Sequence, residues 1–572
     1  MVSEELVFNE FIINQINFEL SSEKKTRAEL GIFFTNKLSI IDQVVDIIKF
    51  DSSIFTKKIL DPACGHGIFL LRIVHQLSKK FSDSKKIFSF IENNVFFADI
   101  DSSMIQKTEE NLQKLCLSIF GTPFTGHFNS FHLDFTHKKD LLSCLNTKND
   151  RNLYDLYSQI DYVVGNPPYV TLYGRRDKKK NEFQRKYYLK NYQQFPSSLQ
   201  NGKINYTMLF IEHSLDFLKS DGKLSFILDT AIFETPYLYT RKYLLENSLI
   251  ESLVYNITSF DVASGQVILK LVKQLNSNIN NHYVKIIDAS IDEQKTVKQS
   301  TWYNSKDEFK FRTALCEYSN QIIDKVINHN EPSLKELYPN KNLRTCTMLL
   351  DMEDKFVFNR ADLNPSVKVY PYYRGSKSLK EKFDKLTPLG FFYYDKKLQD
   401  LINDRLKLEL EAQGIKNKKR IGLGEEVVYD LPKVYIRQSA KSIIATYDEN
   451  PSSANNSLYI FTLRKNSKQD RAFLRFICGY FNSDLITFLC QKMQIIRYRK
   501  GKQPQIKISD LYSIPIPSCN KLQSELAELV SMIYANNNNI QVLFNEINDL
   551  IYNYYHLEEK DVKQIKKSIQ SF

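Results

Sequence analysis

With 572 residues, 42% hydrophobic and 13% aromatic, the chain is too long for one ordinary domain and too apolar to be disordered. Its 78 Lys and Arg against 66 Asp and Glu give a net charge of +12. Residues 331–572 carry +10 of it, from 38 Lys and Arg and 28 Asp and Glu, which fits either a polyanion partner or a solvated lysine-rich surface. The eight cysteines stand singly, without a C-x-x-C pair, which argues against a zinc site or a disulfide frame and for reduced thiols. Acidic residues fill the opening MVSEELVFNEF where a signal peptide is basic, and no apolar run approaches the roughly 20 residues of a spanning helix. A cytoplasmic chain with no membrane partner and no metal site is expected.

In chain order, Lys58-Ile59-Leu60 predicts a short strand, followed by a glycine turn and a helix through Phe69–Val74. Val95–Ala98 predicts a second strand with a helix from Ser102 to Cys116, and Leu133-Asp134-Phe135 the end of a third. Asp161–Gly165 reads as a buried strand ending in a proline turn. A helix over Met208–Leu218 and strands at Lys223–Leu228 and Val267–Val272 complete the alternation of an α/β domain with a mostly parallel sheet. Residues 1–280 are therefore expected to form one domain, 281–340 a polar connection with a helical segment, and 341–572 a second, mixed α+β domain. That second domain has aromatic clusters, a charged helix over Lys397–Ala412 and terminal helices from Leu522, broken by four asparagines at 536–539.

Three signals carry chemistry. Leu60-Asp61-Pro62-Ala63-Cys64-Gly65-His66-Gly67 joins a strand to a helix, and its glycines permit a tight turn and close backbone approach to a ligand. Alone, such a turn is as often structural, and without a following G-K-[ST] it is no phosphate loop. Asp99 ends the next strand, where a carboxylate can accept from both ribose hydroxyls of an adenosine-containing cofactor; Asp134 stands where one can accept from an adenine amine. Asp101 is assigned to capping the helix that follows it. The deciding signal is Gly165-Asn166-Pro167-Pro168-Tyr169. The paired prolines hold the backbone extended, Asn166 Oδ1 and the Pro167 carbonyl can both accept from one exocyclic NH2, and Tyr169 offers a stacking face.

These residues resemble the gamma-class N6-adenine DNA methyltransferases of restriction–modification systems. The resemblance covers roughly residues 25–275 and implies a Rossmann-like doubly wound catalytic domain, followed by a target-recognition domain with C-terminal helices. It implies S-adenosylmethionine as cofactor, with Thr35 in Gly31-Ile32-Phe33-Phe34-Thr35 at its methionine end. Asn36 stands where the family usually has proline. Asp61, Ala63, Gly65 and Gly67 match the cofactor's glycine motif, Asp99 the ribose acid, Asp134 and Phe135 the adenine pair, and Asn166, Pro167, Pro168 and Tyr169 the catalytic motif. Phe260 matches a second aromatic around the flipped base, although a core role fits it equally. Pro432–Arg437 and Leu511–Pro517 resemble pieces of target-recognition domains.

The expected reaction moves a methyl group to the N6 of an adenine flipped out of duplex DNA. Arg175 and Arg176 open a basic tract that fits phosphate contact, as do Arg497, Arg499 and Lys500. A monomer is expected, with any cognate restriction endonuclease a separate protein, since only about 25 residues precede the first motif. The alternatives are an NPPY enzyme acting on RNA or a protein glutamine, a modification subunit needing a separate specificity chain, and a dead enzyme that only binds DNA.

Overall fold

The computed structural model describes residues 4–21, 34–138, 152–172, 178–196, 199, 204–257, 265–274, 281–289, 293–305, 307–313, 317–339, 341–362, 366–412, 420–463, 465–497, 503–535 and 539–571. The chain divides into two units, Met1–Thr313 and Ala314–Phe572.

In the first unit, the short β-branched and aromatic runs become strands β1 (Ile59–Asp61), β2 (Val95–Asp99), β3 (Asn129–His132) and β4 (Ile160–Gly165). There follow a small antiparallel pair, β5 (Thr171–Leu172) and β6 (Ile204–Asn205), then β7 (Leu218–Asp229), β8 (Ser248–Ile257), β9 (Gln266–Lys273), β10 (Tyr283–Asp288) and β11 (Glu293–Lys298). Nine of these form one sheet in the order β11-β10-β8-β9-β7-β4-β1-β2-β3. Strands β3, β2, β1, β4 and β7 run parallel, and β9 lies antiparallel between β7 and β8.

Neighbouring residues of the central strands are buried on opposite faces, as a sheet covered on both sides requires. Ile59, Phe97 and Val164 join a core with the helices Leu38–Val45, Ile68–Lys80 and Ser102–Phe120. Leu60, Phe96 and Val163 join another with the helices Tyr206–Phe217 and Leu238–Asn247. This is the Rossmann-like methyltransferase fold. Strand order reverses at β1, and ligands of open α/β sheets bind outside the carboxyl ends of strands at such a switch point.

Residues 283–288 and 293–298, expected in a connection, instead extend the sheet, with Ile286 beside Leu253 of β8. Only Val284 and Ile286 are buried in β10, alternating with exposed Tyr283 and Lys285, so the apolar signal is two residues long. Strand β3 stops at His132, which leaves Asp134 two residues beyond it in a turn.

The second unit is mixed α/β. One four-stranded sheet joins Leu343–Thr345, Leu458–Thr462, Lys433–Arg437 and Ala445–Asp448. Val434, Ile436, Tyr459 and Phe461 face the helices Lys468–Asn482, Asp484–Lys492, Asn520–Ala535 and Ile540–Tyr554. Tyr435, Leu458 and Ile460 face a second sheet through Tyr370, Tyr372 and Phe392. No single described helix is long and apolar enough to cross a membrane.

Candidate active site

The glycine turn leaves β1 in a conformation that few side chains tolerate: Gly65 and Gly67 have φ of +52° and +78°. A Cβ on Gly65 would lie 2.9 Å from Phe34 Cε1, and one on Gly67 2.7 Å from Thr108 Cγ2. The Gly65 amide donates to Asp99 Oδ2 at 3.0 Å, and the Thr108 hydroxyl donates to the Gly65 carbonyl at 2.8 Å. Asp99 Oδ1 accepts from the Asp101 amide at 3.0 Å, so this acid, expected at a ribose, also braces the turn; burial raises its pKa. Asp101 caps the next helix through the Ser103 amide, as expected.

Asp61 closes β1 and is fully buried. Its Oδ1 accepts from the Ala63 amide at 3.2 Å, and its Oδ2 has no partner among the described residues. Burial pushes its pKa up to about 8. Thr35 is buried as well, with an Oγ1 that has no partner among the described residues. Buried oxygens left in this way are costly unless a ligand supplies their hydrogen bonds.

The fourth strand delivers the proline motif beside this carboxylate. A Cβ on Gly165 would stand 3.0 Å from Asp61 Oδ1, so only glycine lets β4 pass this close to the end of β1. Pro167 is buried, and the Pro168 carbonyl accepts from Thr207 Oγ1 at 3.1 Å. Tyr206 donates its amide to the Val170 carbonyl at 2.8 Å, which fixes the turn to the start of the helix Tyr206–Phe217. Tyr169 donates its hydroxyl to Asn166 Oδ1 at 2.6 Å and also lies 3.2 Å from the Ile227 carbonyl. Burial raises the Tyr169 pKa well above its ordinary value, so the phenol stays protonated as a donor. The expected stacking residue and the expected acceptor are thus joined, and the second lone pair of Asn166 Oδ1 extends the acceptor set beyond Tyr169.

Asp134 and Phe135 part company. Asp134 Oδ1 accepts from the amide and the hydroxyl of Thr136, at 2.9 and 2.7 Å, and Oδ2 lies 2.9 Å from His137 Nδ1. Burial acts to raise its pKa, but the hydrogen bonds from His137 and Thr136 outweigh burial and hold it below the usual carboxylate value. Phe135 points into the core instead, against Phe210, His213 and Phe217, with ring centroids 5.1, 4.4 and 5.5 Å away. Of the expected adenine pair, Phe135 is thus placed in the core between helices, whereas Asp134 keeps part of its carboxylate exposed.

Gly31–Phe33, Arg175, Arg176, Phe260, Arg499 and Lys500 lie outside the described residues, and of Arg497 only the backbone, in the strand Ile496–Arg497, is described. Asp229, which ends β7, went unread. Burial raises its pKa, and it acts through space on Tyr169 and Tyr237. An acid at the end of a predicted strand was its only sequence signal, and that signal is shared with every helix cap.

Residues 93–262 match the Eco57I restriction-modification methylase family model, and residues 400–516 the TaqI-like C-terminal specificity domain. No curated protein matches the chain. Among solved structures, the chain is similar to the Type IIL restriction-modification enzyme MmeI in complex with DNA, with 13% identity and a TM-score of 0.60 over 100% of this chain and 82% of that one. It is also similar to the DrdV–DNA complex (11% identity, TM-score 0.54, 92% and 59%) and to the ATP-dependent Type ISP restriction-modification enzyme LlaBIII bound to DNA (12%, 0.50, 91% and 40%). The chain therefore spans less than two thirds of the last two, and at these identities the likeness speaks for the fold. From β2 to the C-terminal sheets, the chain joins a DNA methyltransferase domain of the restriction–modification type to a TaqI-like specificity domain.

Proposed function

We propose that this chain transfers a methyl group from S-adenosylmethionine to N6 of an adenine flipped out of duplex DNA. The observation that carries the reading is the meeting of two strand ends: Asn166 and Pro167 leave β4 directly after the glycine that packs on the buried, half-partnered carboxylate of Asp61. A methionine ammonium is the kind of donor that the orphaned oxygens of Asp61 and Thr35 lack. Gly65 and Gly67 let the backbone approach the same ligand, beside Ala63; Asp99 takes the ribose and Asp134 the adenine amine.

The cofactor supplies a methyl group already activated by its sulfonium. The work left to the chain is to bind, orient and accept hydrogens. Asn166 Oδ1 and the Pro167 carbonyl take the two hydrogens of the target amine, which turns its lone pair toward the methyl group and offsets the positive charge that develops on nitrogen. Pro168, held by Thr207, keeps that carbonyl in place. Tyr169 stacks on the flipped base, a contact worth about 1–3 kcal/mol, against a flipping cost of a few kcal/mol. Phe260 completes the base pocket, and Arg175, Arg176, Arg497, Arg499 and Lys500 meet DNA phosphates. The protein acts as a cytoplasmic monomer, with the unit 1–313 catalytic and the unit 314–572 reading the target; any cognate endonuclease is a separate protein.

The test is transfer from labelled S-adenosylmethionine to unmethylated genomic DNA, RNA and cell-extract protein in parallel, followed by nucleoside analysis. Label appears in DNA alone, as N6-methyldeoxyadenosine. Label in RNA or protein only, or at cytosine, overturns the substrate. In the same assay Asn166→Ala lowers the rate on the order of a hundredfold or more, with cofactor affinity unchanged. Equal loss of affinity would move Asn166 to the cofactor.

A further inference from the structure

The helix Lys178–Asn191, next after the proline motif, begins with three lysines and carries Tyr187 and Tyr188 near its end, with Tyr192 just beyond. Tyr188 and Tyr192 are buried, and both reach back to the turn that carries Asp134. The Tyr192 hydroxyl donates to the Thr136 carbonyl at 2.8 Å, and the Tyr188 hydroxyl stands 2.9 Å from Thr136 Oγ1. Just beyond the helix, the amides of Gln193 and Gln194 donate to the buried Glu212 carboxylate at 2.7 and 3.0 Å, and Lys138 Nζ donates to the same carboxylate at 2.9 Å. The Asp134–Lys138 turn and the end of this helix are thus bolted together from both sides.

Either hydroxyl can donate by geometry alone, and proton counting at Thr136 favours Tyr188 as the donor. The Thr136 hydroxyl has one hydrogen, and the carboxylate of Asp134, 2.7 Å away, is its strongest acceptor. The Thr136 oxygen is then left to accept from Tyr188, whose phenol is buried, held protonated and also in contact with the Tyr206 hydroxyl.

We infer that Tyr188 is a positioning residue: by donating to the Thr136 hydroxyl it aims that hydroxyl's hydrogen at Asp134 Oδ1, fixes the carboxylate that selects adenine in the cofactor, and links this selection to the helix that follows the proline motif. The inference rests on the reading that Asp134 meets the cofactor's adenine. The bond chain Tyr188–Thr136–Asp134 holds one oxygen and His137 shares the other, which leaves acceptor capacity on Oδ2 for one more donor.

The experiment measures, by calorimetry on the full chain, affinities for S-adenosylhomocysteine and S-inosylhomocysteine. The inosyl compound presents a carbonyl where adenine presents its amine. The wild-type chain prefers the adenosyl compound by roughly tenfold or more, as a hydrogen bond to a charged acceptor implies. Tyr188→Phe keeps the ring and shrinks that preference by about threefold or more. Thr136→Val shrinks it at least as far, and adding Tyr188→Phe to Thr136→Val changes nothing further, because Tyr188 acts through Thr136. An unchanged preference in Tyr188→Phe, or equal weakening of both compounds, overturns the inference and leaves Tyr188 a packing residue. If Asp134→Ala retains the full preference, the assignment of Asp134 itself falls, and the role of Tyr188 falls with it.

Discussion

Asp61 ends the parallel strand β1 and Asp134 lies two residues past the end of β3, yet their surroundings drive them apart. Asp61 is sealed against Gly165 with one oxygen bonded to an amide and the other to nothing among the described residues, and burial carries its pKa to about 8. Asp134 keeps a quarter of its side chain in solvent, and Thr136 and His137 saturate it enough to hold its pKa below the ordinary value despite burial. In the proposed function the cofactor's donor completes the first, whereas the second is assembled in advance and only has to be met. The proposed contact at Asp61 must repay desolvation, which makes it the more consequential of the two.

The contrast is sharpest in single removals. Asp61→Ala should weaken S-adenosylhomocysteine binding on the order of a hundredfold and Asp134→Ala roughly tenfold, both by calorimetry, in keeping with the range for hydrogen bonds to charged groups. Equal losses would erase the distinction.

Acidity gives the next effect, with opposite signs. A folded value of about 8 for Asp61, against 3.8 for the unfolded chain, means that its contribution to stability is fully present below pH 3.8 and is lost as pH rises toward 8. For Asp134, whose value is lowered, the contribution is present above 3.8 and is lost as pH falls through the folded value. In urea unfolding at pH 5 and pH 8, the wild-type chain should therefore lose on the order of 2 kcal/mol more than Asp61→Asn as pH rises. Parallel losses would show that Asp61 is ionised in the fold already.

The smallest effect lies in the other unit and serves as the control. Replacing Arg497 and Arg499 together by alanine should lower the salt dependence of duplex binding by about one or two in slope and leave both carboxylate contrasts untouched. An unchanged slope takes that segment out of the DNA interface.

Much of the first unit is legible from alternation alone. Strands β1, β2, β4, β7 and β9 fall where short apolar runs stand between helical patterns, because a strand buried on both faces must be apolar at consecutive positions. Strand β10 escaped because it is an edge-side strand with two buried residues among polar ones. The core place of Phe135 escaped for another reason: the acid and the aromatic are adjacent in sequence, and only the turn at 133–137 sends one outward and the other between helices. No periodicity separates neighbours in a turn.

The sequence by itself determined the order of the motifs, the glycines at 65, 67 and 165, and the proline turn that follows β4, since each rests on what one residue type can do with its own backbone. Only the tertiary structure decided that Asp61 lacks a partner, that Tyr169 donates to Asn166, and that Tyr188 stands behind Thr136 and Asp134. Those are properties of burial and of contacts between distant segments, and a carboxylate's pKa or a hydroxyl's direction exists only once its neighbours have been brought around it.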